Sequence, residues 1–332
     1  MSLYYRAIAM TDAARPEGAL PLAGGWCWFD RVEVLERGRA PQVIAADQAP
    51  AEVLQAMSAP RAPLMGKALE RPLTMGILNV TPDSFSDGGT FAAPEAALAG
   101  ARALARDCDI LDIGGESTRP GAETVPVAEE VARTAPVIAA LRAGGLDVPV
   151  SIDTRKAGVG RAALEAGADM LNDVSGLSYD GDMAAVAAQS GAPICLMHAQ
   201  GDPATMQQDP RYDDVLLDVY DYLAGRVEAA RSAGIGRQQI VLDPGIGFGK
   251  TLEHNLSLLR RMSLFHSLGC PLLVGASRKR FIGTIGGAEE AQARLGGSVA
   301  VAIGAAMQGV QIIRAHDTFE TTQALRLMMA QT

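Results

Sequence analysis

The sequence is poor in the features that mark membrane, secreted and zinc-finger proteins. Only four cysteines occur among its 332 residues, and none forms a CxxC pair or belongs to a His/Cys cluster with zinc spacing. No run of about 18 or more apolar residues is present, and the N-terminus lacks a basic region followed by a long apolar stretch. These absences predict a cytoplasmic protein with reduced thiols, no secretory signal and no membrane span.

Basic residues are also in the minority. Lysine and arginine together number 29 against 38 acidic residues, which gives a formal net charge of −9. Nucleic acid is therefore a poor partner unless the basic residues cluster. Three of the four lysines, Lys156, Lys250 and Lys279, follow closely on an apolar run. This placement favours local binding of small anions over a basic surface.

From Leu73 onward, short apolar runs alternate with longer helix-like stretches. Most of the runs are nearly continuous in Val, Ile and Leu, which is typical of strands buried on both faces of a parallel sheet. Eight such runs are present, over residues 73–80, 109–114, 148–153, 169–173, 193–197, 239–243, 270–276 and 310–315.

Two of the intervening stretches carry clear helix signals. The last stretch begins with Asp317, three residues before Glu320, which predicts an N-cap and its capping-box partner. The clearest amphipathic stripe holds Leu216, Val219, Leu223, Val227 and Ala230.

Eight βα units within about 250 residues predict an α/β protein with a (β/α)₈ TIM barrel. The alternative, an open doubly wound sheet, concentrates its ligand residues at one switch point. Polar residues stand at the C-terminal ends of nearly all the runs, which favours a closed barrel with one mouth. We assign residues 71–332 to the barrel domain and residues 1–70 to an N-terminal extension. Because Trp26 and Trp28 would be costly to leave exposed, we expect the extension to be partly structured, with a role that the sequence does not predict.

Three of the predicted strands end in acidic or amide side chains. Asp153 ends the third run, Asn172 and Asp173 end the fourth, and Asp243 ends the sixth. A carboxylate at the end of a buried strand is costly unless it is paired, and one alone could be a helix N-cap. Several in one mouth indicate binding of a cationic or donor-rich group, such as an edge with two parallel N–H donors, which a carboxylate accepts as a bidentate pair. Binding of Mg²⁺ is the competing interpretation.

A glycine-rich segment follows the sixth run, over residues 243–251. It is not a P-loop, because Pro244 stands where that motif requires glycine. It is not a dinucleotide fingerprint either, because Lys250 occupies the third glycine position. The glycines instead allow the backbone to pass close to a flat ligand, with Phe248 available to stack on it.

The loops after the first two runs are polar and rich in glycine. The length of the loop over residues 79–89, its two carboxylates and its single Phe favour a mobile lid over an ordinary surface loop. In the loop over residues 114–122, Arg119 could hold a carboxylate in a fork, although residue type alone favours a solvated arginine.

The last two runs end in cations, within residues 275–280 and 314–317. His316 alone is most simply a structural histidine. Beside Arg314, at the start of the last predicted helix, it favours binding of a phosphate-type anion.

Taken in order, these segments resemble the dihydropteroate synthase family. The resemblance implies a transferase of folate biosynthesis that joins 6-hydroxymethyl-7,8-dihydropterin pyrophosphate to p-aminobenzoate, giving 7,8-dihydropteroate and pyrophosphate with Mg²⁺ assisting. It also implies a homodimer. The matching segments span roughly residues 73–330 and are 79–89, 116–121, 153–154, 172–173, 197–198, 243–250, 277–279 and 314–317.

The resemblance also implies a role for each matching residue. The pterin pocket maps to Asp153, Asn172, Met197, Asp243, Phe248, Gly275 and Lys279. The p-aminobenzoate site maps to Thr118, Arg119, Pro120, Phe248, Ser277 and Lys279. Pyrophosphate contacts map to Asn79, Arg314 and His316, with Asn79 also near the metal. Catalytic roles map to Asp87, Lys279, Arg314 and His316, and the lid loop contributes Phe85 and Asp87.

Two other functions are compatible with parts of this pattern. A methyltetrahydrofolate-dependent methyltransferase on the same barrel would keep carboxylates for the pterin edge, but it would need neither the Ser-Arg-Lys sequence at 277–279 nor the Arg-x-His-Asp sequence at 314–317. An inactive pterin-binding protein would usually lack one or more of the loop residues, whereas Asp87 and Arg119 are both present. Turnover distinguishes these functions.

Overall fold

The computed structural model of the chain describes residues 2–80, 93–117, 124–201 and 205–332. Within these ranges the chain forms an N-terminal extension and a parallel β-barrel surrounded by helices. No helix in these ranges is long and apolar enough to cross a membrane.

Eight parallel strands form the barrel, as the sequence predicts. Each strand pairs with its sequence neighbours except at one seam, between the sixth and seventh strands, and the last strand pairs with the first. A parallel bridge between Leu242 and Leu272 joins the two remaining edges, so the ring is closed and the (β/α)₈ prediction is confirmed. In chain order, and numbered after five strands of the extension, the barrel strands are β6 (Leu73–Asn79), β7 (Ile110–Gly114), β8 (Val150–Asp153), β9 (Met170–Asp173), β10 (Ile194–Met197), β11 (Ile240–Asp243), β12 (Leu273–Val274) and β13 (Ile312–Ala315).

Helices cover the outside of the barrel. The predicted amphipathic stripe lies in the longest of them and is buried along its length. Short 3₁₀ helices lie at residues 46–48, 237–239, 262–268 and 291–294. Numbered after one helix of the extension, the α-helices are α2 (Ala93–Leu104), α3 (Val127–Ala143), α4 (Ala157–Glu165), α5 (Met183–Ser190), α6 (Val215–Ser232), α7 (Leu252–Arg260), α8 (Arg280–Gly286), α9 (Leu295–Ala306) and α10 (Thr318–Met329).

The start of α10 differs from the prediction. Asp317 is its N-cap residue but makes no side-chain cap hydrogen bond. The carboxylate of Asp317 instead pairs with Arg278, whose Nε lies 3.0 Å from Oδ2. The predicted capping box with Glu320 is therefore wrong, because the two-pronged pair with the Arg278 guanidinium engages both carboxylate oxygens.

The extension has a three-stranded sheet, a two-stranded sheet and one α-helix. Its core is apolar, and Trp28 is buried within it while Trp26 is half-buried. Strands β1 (Leu3–Ala7), β4 (Arg31–Glu36) and β5 (Gln42–Ala45) pair antiparallel in the order β1-β4-β5, β2 (Leu20–Pro21) pairs with β3 (Trp28–Phe29), and α1 covers Ala51–Ser58.

The extension closes the lower end of the barrel. Leu64 and Leu69, from its last residues, are buried in a cluster with side chains inside the barrel, including Leu73, Met75 and Cys195. This apolar cluster fills the N-terminal end of the strands, so the ligand site is expected at the opposite end, where the carboxyl ends of the strands lie.

Polar contacts also join the extension to the outer surface of the barrel. Glu33 on β4 is buried and accepts hydrogen bonds from Arg6 and from Arg261, whose Nε lies 3.2 Å from Glu33 Oε2. Trp26 Nε1 donates to the carbonyl of Ala306 at 2.8 Å. Because the charge of Glu33 is shared by one arginine from each side, extension and barrel form one packed unit.

Candidate active site

An ion-pair network lies at the carboxyl ends of three barrel strands. Arg314, on β13, donates from Nε to Asp112 Oδ2 at 2.6 Å and from Nη2 to Asp153 Oδ2 at 2.7 Å. The Asp112 side chain is fully buried, and that of Asp153 is 8% exposed. A buried carboxylate is costly without a partner. Because Arg314 pairs with both Asp112 and Asp153, both carboxylates can be buried in the mouth of the barrel.

Asn172 joins the same network from β9. Its Nδ2 donates to Asp112 Oδ2 at 3.1 Å. An ionised carboxylate only accepts hydrogen bonds, so this contact decides the orientation of the amide. The amide oxygen, Asn172 Oδ1, is thereby left to accept from a ligand.

Two buried carboxylate oxygens of the network have no hydrogen-bond partner among the described residues. They are Asp112 Oδ1 and Asp153 Oδ1. A buried acceptor left unsatisfied costs about 1–3 kcal/mol, and native proteins rarely leave one so. The mouth is therefore suited to a ligand that brings N–H donors.

Burial changes the acidity of the carboxylates in the mouth. Burial raises the pKa of Asp153 to about 7, with Arg314 opposing the rise and Asp112 adding to it. Burial also raises the pKa of Asp243, whose Oδ1 accepts from the backbone N–H of Gly245 at 2.7 Å. Strongly perturbed carboxylates that converge in one cleft are typical of a functional site.

Asp173 is a different case from its neighbour on β9. Its Oδ1 accepts from the backbone N–H of Ser175 at 2.8 Å, and its Oδ2 accepts from that of Leu177 at 2.7 Å. Such bonds from an aspartate to the next residues stabilise a turn. The carboxylate of Asp173 is therefore occupied by hydrogen bonds within the turn that follows β9.

The glycine-rich loop after β11 brings an aromatic ring and a lysine together. Lys279 Nζ donates to the carbonyl of Ile246 and lies 4.0 Å from the centroid of the Phe248 ring. Gly247, between them, has a φ of +85°, and a Cβ there would come within 2.7 Å of Lys279 Cδ, so glycine is required for this approach. Burial lowers the pKa of Lys279 to about 7, against the attraction of Asp243.

Ser277 and His316 meet after the neighbouring strands β12 and β13. His316 Nδ1 lies 3.0 Å from Ser277 Oγ, and the backbone N–H of His316 donates to the same oxygen at 3.2 Å. A Cβ at Gly275 would stand 3.7 Å from the Arg314 side chain, so bare backbone lies beside this arginine. The cations and hydroxyl of these two strand ends therefore share one corner of the mouth.

Asn79 and Met197 lie at the same end of the barrel. Asn79 is the last residue of β6 and is paired in register with Gly114 at the end of β7. Met197 ends β10 and is buried, and a Cβ at Gly245 would lie 3.2 Å from Met197 Cγ. Both residues are therefore at the rim that carries the ion-pair network.

The loops that follow β6 and β7 lie in part outside the described residues. Glu116, at the described start of the second loop, accepts from Val125 N at 2.7 Å and from Lys156 Nζ at 2.6 Å. The described ends of that loop are therefore held together by buried contacts. The predicted site residues that lie outside the described residues are Phe85, Asp87, Thr118, Arg119 and Pro120.

The sequence prediction omits Asp112, which the structure places at the centre of the network. A local signal for it exists, since a charged residue in the middle of an apolar run is costly unless it is paired. Its partner Arg314 stands 202 residues further along the chain, so no local pattern connects the two.

The described carboxylates do not form a metal-binding cluster. Across residues 2–80, 93–117, 124–201 and 205–332, no group of three or more His, Cys, Asp or Glu side chains could hold a metal ion. Magnesium bound beside phosphates commonly takes several of its oxygen ligands from the substrate and from water.

Comparison with known proteins identifies the family. The family of pterin-binding enzymes matches residues 75–316. The dihydropteroate synthase of Escherichia coli strain K12 is 48% identical over 263 residues, covering 79% of this chain and 92% of its own. The solved structure of Xanthomonas albilineans dihydropteroate synthase with 4-aminobenzoic acid has a TM-score of 0.75 at 46% identity, covering 79% of this chain and 94% of that chain. The same organism's enzyme in complex with 7,8-dihydropteroate has a TM-score of 0.72 at 43% identity, with the same coverage.

These matches extend over the barrel and its mouth. The family match begins within β6 and ends beside the last strand, so it includes every strand end described above. Identity above 40% over nearly the full length of the relatives accompanies a similar fold. The chain therefore belongs to the dihydropteroate synthase family of pterin-binding transferases.

Proposed function

We propose that this chain joins 6-hydroxymethyl-7,8-dihydropterin pyrophosphate to p-aminobenzoate, forming 7,8-dihydropteroate and releasing pyrophosphate. The observation that carries the proposal is the pair of buried oxygens, Asp112 Oδ1 and Asp153 Oδ1, that lack a partner among the described residues beside the guanidinium of Arg314. A pterin presents N–H donors along one edge, and its pyrophosphate is an anion. One mouth with both acceptors and cations suits both ends of that substrate.

In this proposal the pterin ring lies in the barrel mouth. Asp153 and Asp243 accept hydrogen bonds from its N–H donors, and Asn172 Oδ1 accepts a further one. The raised pKa of each carboxylate supports a partner that brings donors into the pocket. The remaining walls of the pocket are assigned to Met197, Phe248, Gly275 and Lys279.

The pyrophosphate is assigned to Arg314, His316 and Asn79. The guanidinium of Arg314 and the nearby N-terminus of α10 both attract an anion. Asn79 would hold Mg²⁺ together with oxygens of the substrate and water, which agrees with the lack of a carboxylate cluster in the described residues. When bound, the ion neutralises charge on the departing pyrophosphate.

Bond breaking is proposed to run ahead of bond formation. As pyrophosphate leaves, the charge that grows on its oxygens is offset by Arg314 and His316. The pterin methylene carbon becomes electron-poor, and the carboxylate of Asp87 is assigned to stabilise it. The amine of p-aminobenzoate then forms the new C–N bond and releases its proton. No strong base is needed, because an aniline nitrogen is unprotonated at neutral pH.

The p-aminobenzoate site is assigned to the second loop and the rim after β12. Arg119 pairs with the carboxylate of p-aminobenzoate in a two-pronged contact, and closure of the loop with Phe85 and Asp87 excludes water from the reacting centre. The remaining contacts are assigned to Thr118, Pro120, Phe248, Ser277 and Lys279.

A pyrophosphate-release assay with the purified full chain tests this function. Release should require both the pterin pyrophosphate and p-aminobenzoate, and should fall to background without Mg²⁺. Methyl transfer from methyltetrahydrofolate without pyrophosphate release would favour the methyltransferase. Tight pterin binding without condensation would favour an inactive pterin-binding protein.

We assign catalysis to residues 71–332 and the closing of the barrel base to residues 1–70. The compartment proposed is the cytoplasm, which the unpaired thiols of Cys27, Cys108, Cys195 and Cys270 support. The partners proposed are the two small-molecule substrates and a second copy of the chain.

The outer surface of α9 and α10 supports a homodimer. The α9 sequence contains no charged side chain, and Phe319 and Leu327 on the adjacent α10 are 56% and 62% exposed. Exposed apolar surface of this kind marks protein contacts. Leu327→Lys should convert the dimer to a monomer in light scattering, and a wild-type chain that is monomeric at every concentration would refute the assignment.

A further inference from the structure

Lys250 is a buried cation that no substrate contact in the proposed reaction uses. Its Nζ lies 2.8 Å from the carbonyl oxygen of Gly245, 3.0 Å from that of Phe248 and 2.9 Å from Nδ1 of His198. Lys250 is 3% exposed. Lysine is rarely buried so deeply unless its charge is compensated. Here these two carbonyls and the imidazole surround it, with the carbonyl oxygen of His198 further away at 3.4 Å.

His198 supplies the third of these acceptors. Burial lowers the pKa of His198 to about 2, so the ring is neutral and Nδ1 can accept. The ring packs edge-on against Tyr222, with 4.8 Å between centroids, which holds its orientation. With three acceptors in place, all three N–H bonds of the Lys250 ammonium are satisfied, although burial lowers its pKa.

The glycine-rich loop is wrapped around this nitrogen. The carbonyls of Gly245 and Phe248 turn inward to Lys250, while the other loop carbonyls are held from outside. Those outside donors are Lys279 for Ile246, Gln207 for Gly247 and Tyr212 for Gly249. The buried amine of Lys250 therefore links Gly245 and Phe248, which lie at the two ends of the turn that contacts Lys279.

The 245–249 loop is packed too closely against its neighbours to adjust when the contacts with Lys250 are lost. Gly245 has a φ of +68°, and a Cβ there would overlap the carbonyl oxygen of His198. A Cβ at Gly249 would lie 2.5 Å from the carbonyl oxygen of Gln200. The loop therefore rests directly on the segment after β10, and a change at Lys250 should be passed on to the Phe248 ring.

We propose that Lys250 is a positioning residue, which acts as an internal cation to shape the 245–249 loop and so sets Phe248 and Lys279 for the two substrates. The inference rests on the function proposed above. It assigns Lys250 no contact with either substrate.

The test compares two buried lysines of the same barrel. Lys250→Met removes the charge that links Gly245 and Phe248. Lys156→Met is the matched control, because Lys156 is also 3% exposed and its Nζ also has three acceptors, on Glu116, Glu130 and Val125. Lys156 follows β8, four strands from β12 in either direction around the ring.

Lys250→Met should lower kcat/KM roughly 100-fold, since a misplacement of 1 Å at a reacting centre can cost that much. It should also move the alkaline limb of the pH profile, which we assign to Lys279, to higher pH. In this variant Lys279 becomes more accessible to water and loses the nearby positive charge of Lys250. Both changes favour the charged form of Lys279 and so raise its pKa. Lys156→Met should leave this limb where it is. His198→Phe removes one acceptor of Lys250 and should also move the alkaline limb to higher pH. This variant replaces Lys250→Met in the test if Lys250→Met does not fold.

Hydrogen exchange of the backbone amides of residues 245–249 gives a readout that does not depend on turnover. Exchange should accelerate in Lys250→Met and stay at the wild-type rate in Lys156→Met. Unchanged exchange in a folded Lys250→Met, or an equal shift of the alkaline limb in both lysine variants, would overturn the inference. A wild-type chain without pyrophosphate release would overturn the proposed function, while the exchange experiment would still decide the role of Lys250 in the loop.

Discussion

Arg314 Nε and Asp112 Oδ2 stand 2.6 Å apart in the barrel mouth, although 202 residues separate them along the chain. The same carboxylate oxygen accepts from Asn172, and Arg314 also binds Asp153. One fully buried side chain therefore orients the cation assigned to the pyrophosphate and an amide assigned to the pterin pocket. Its contribution should be visible in catalysis as well as in stability.

Asp112→Asn should reduce both stability and catalytic efficiency. Hydrogen bonds to charged groups contribute about 1.5–3 kcal/mol, so we expect the free energy of unfolding to fall by an amount in that range. We expect kcat/KM for the pterin pyrophosphate to fall about tenfold or more, because Arg314 loses one of its two anchors. Urea unfolding and steady-state kinetics measure the two effects. Asp173→Asn is the control, since it should weaken its turn without lowering kcat/KM.

The pH profile of kcat/KM should be bell-shaped and centred near neutrality. Asp153 must be ionised to accept from the pterin, and burial raises its pKa to about 7, so activity should fall as the pH drops below that value. Lys279 must be charged, and burial lowers its pKa to about 7, so activity should also fall as the pH rises above it. Lys279→Arg keeps a cation at all accessible pH. In that variant the acid limb should remain and the alkaline limb should vanish; an alkaline limb at its wild-type position would assign it to another group.

Asp243→Ala should strongly weaken pterin binding. The carboxylate stands at the end of β11 and is assigned to the pterin pocket. Its loss leaves a pterin donor unpaired at a cost of about 3 kcal/mol, or roughly 100-fold in Kd. Isothermal titration with a pterin measures this directly. A wild-type affinity in the variant would remove Asp243 from the pocket.

Arg119→Ala should separate the two substrates. The KM for p-aminobenzoate should rise about 10- to 100-fold, since a charge-assisted contact of about 1.5–3 kcal/mol is lost, while the KM for the pterin pyrophosphate changes little. Arg119→Lys should recover only part of the loss, because an ammonium cannot form the two-pronged pair. Equal losses for both substrates would contradict the assignment.

The extension should unfold together with the barrel. Both tryptophans of the chain, Trp26 and Trp28, lie in the extension, so tryptophan fluorescence reports on the extension while far-UV circular dichroism reports mainly on the barrel. The two transitions in urea should coincide. Glu33→Gln should destabilise both by about 3 kcal/mol, because it leaves Arg6 and Arg261 without their buried partner. Transitions that separate in the wild-type chain would show that residues 1–70 are only loosely attached.

Much of the fold could be predicted because its signals are local. A run such as Ile240–Asp243 is apolar at nearly every position. A strand buried on both faces removes all of these apolar side chains from water, so the run predicts such a strand. Strand β12 covers only Leu273–Val274 of the run predicted over 270–276, since strand length depends on where its neighbours stop pairing. The capping box at Asp317 failed for a related reason, because the competing partner, Arg278, comes from another strand end.

The amino-acid sequence by itself determined the eight strands, their parallel order and the family, because apolar runs and ordered motifs are properties of neighbouring residues. Only the tertiary structure decided that Asp112 holds Arg314, that Asp173 serves its own turn and that Leu64 and Leu69 plug the barrel base. Each of these depends on closing the ring of strands, which brings side chains from distant parts of the chain to one end. Partner choice there follows from distance and burial, and neither can be read from the order of residues.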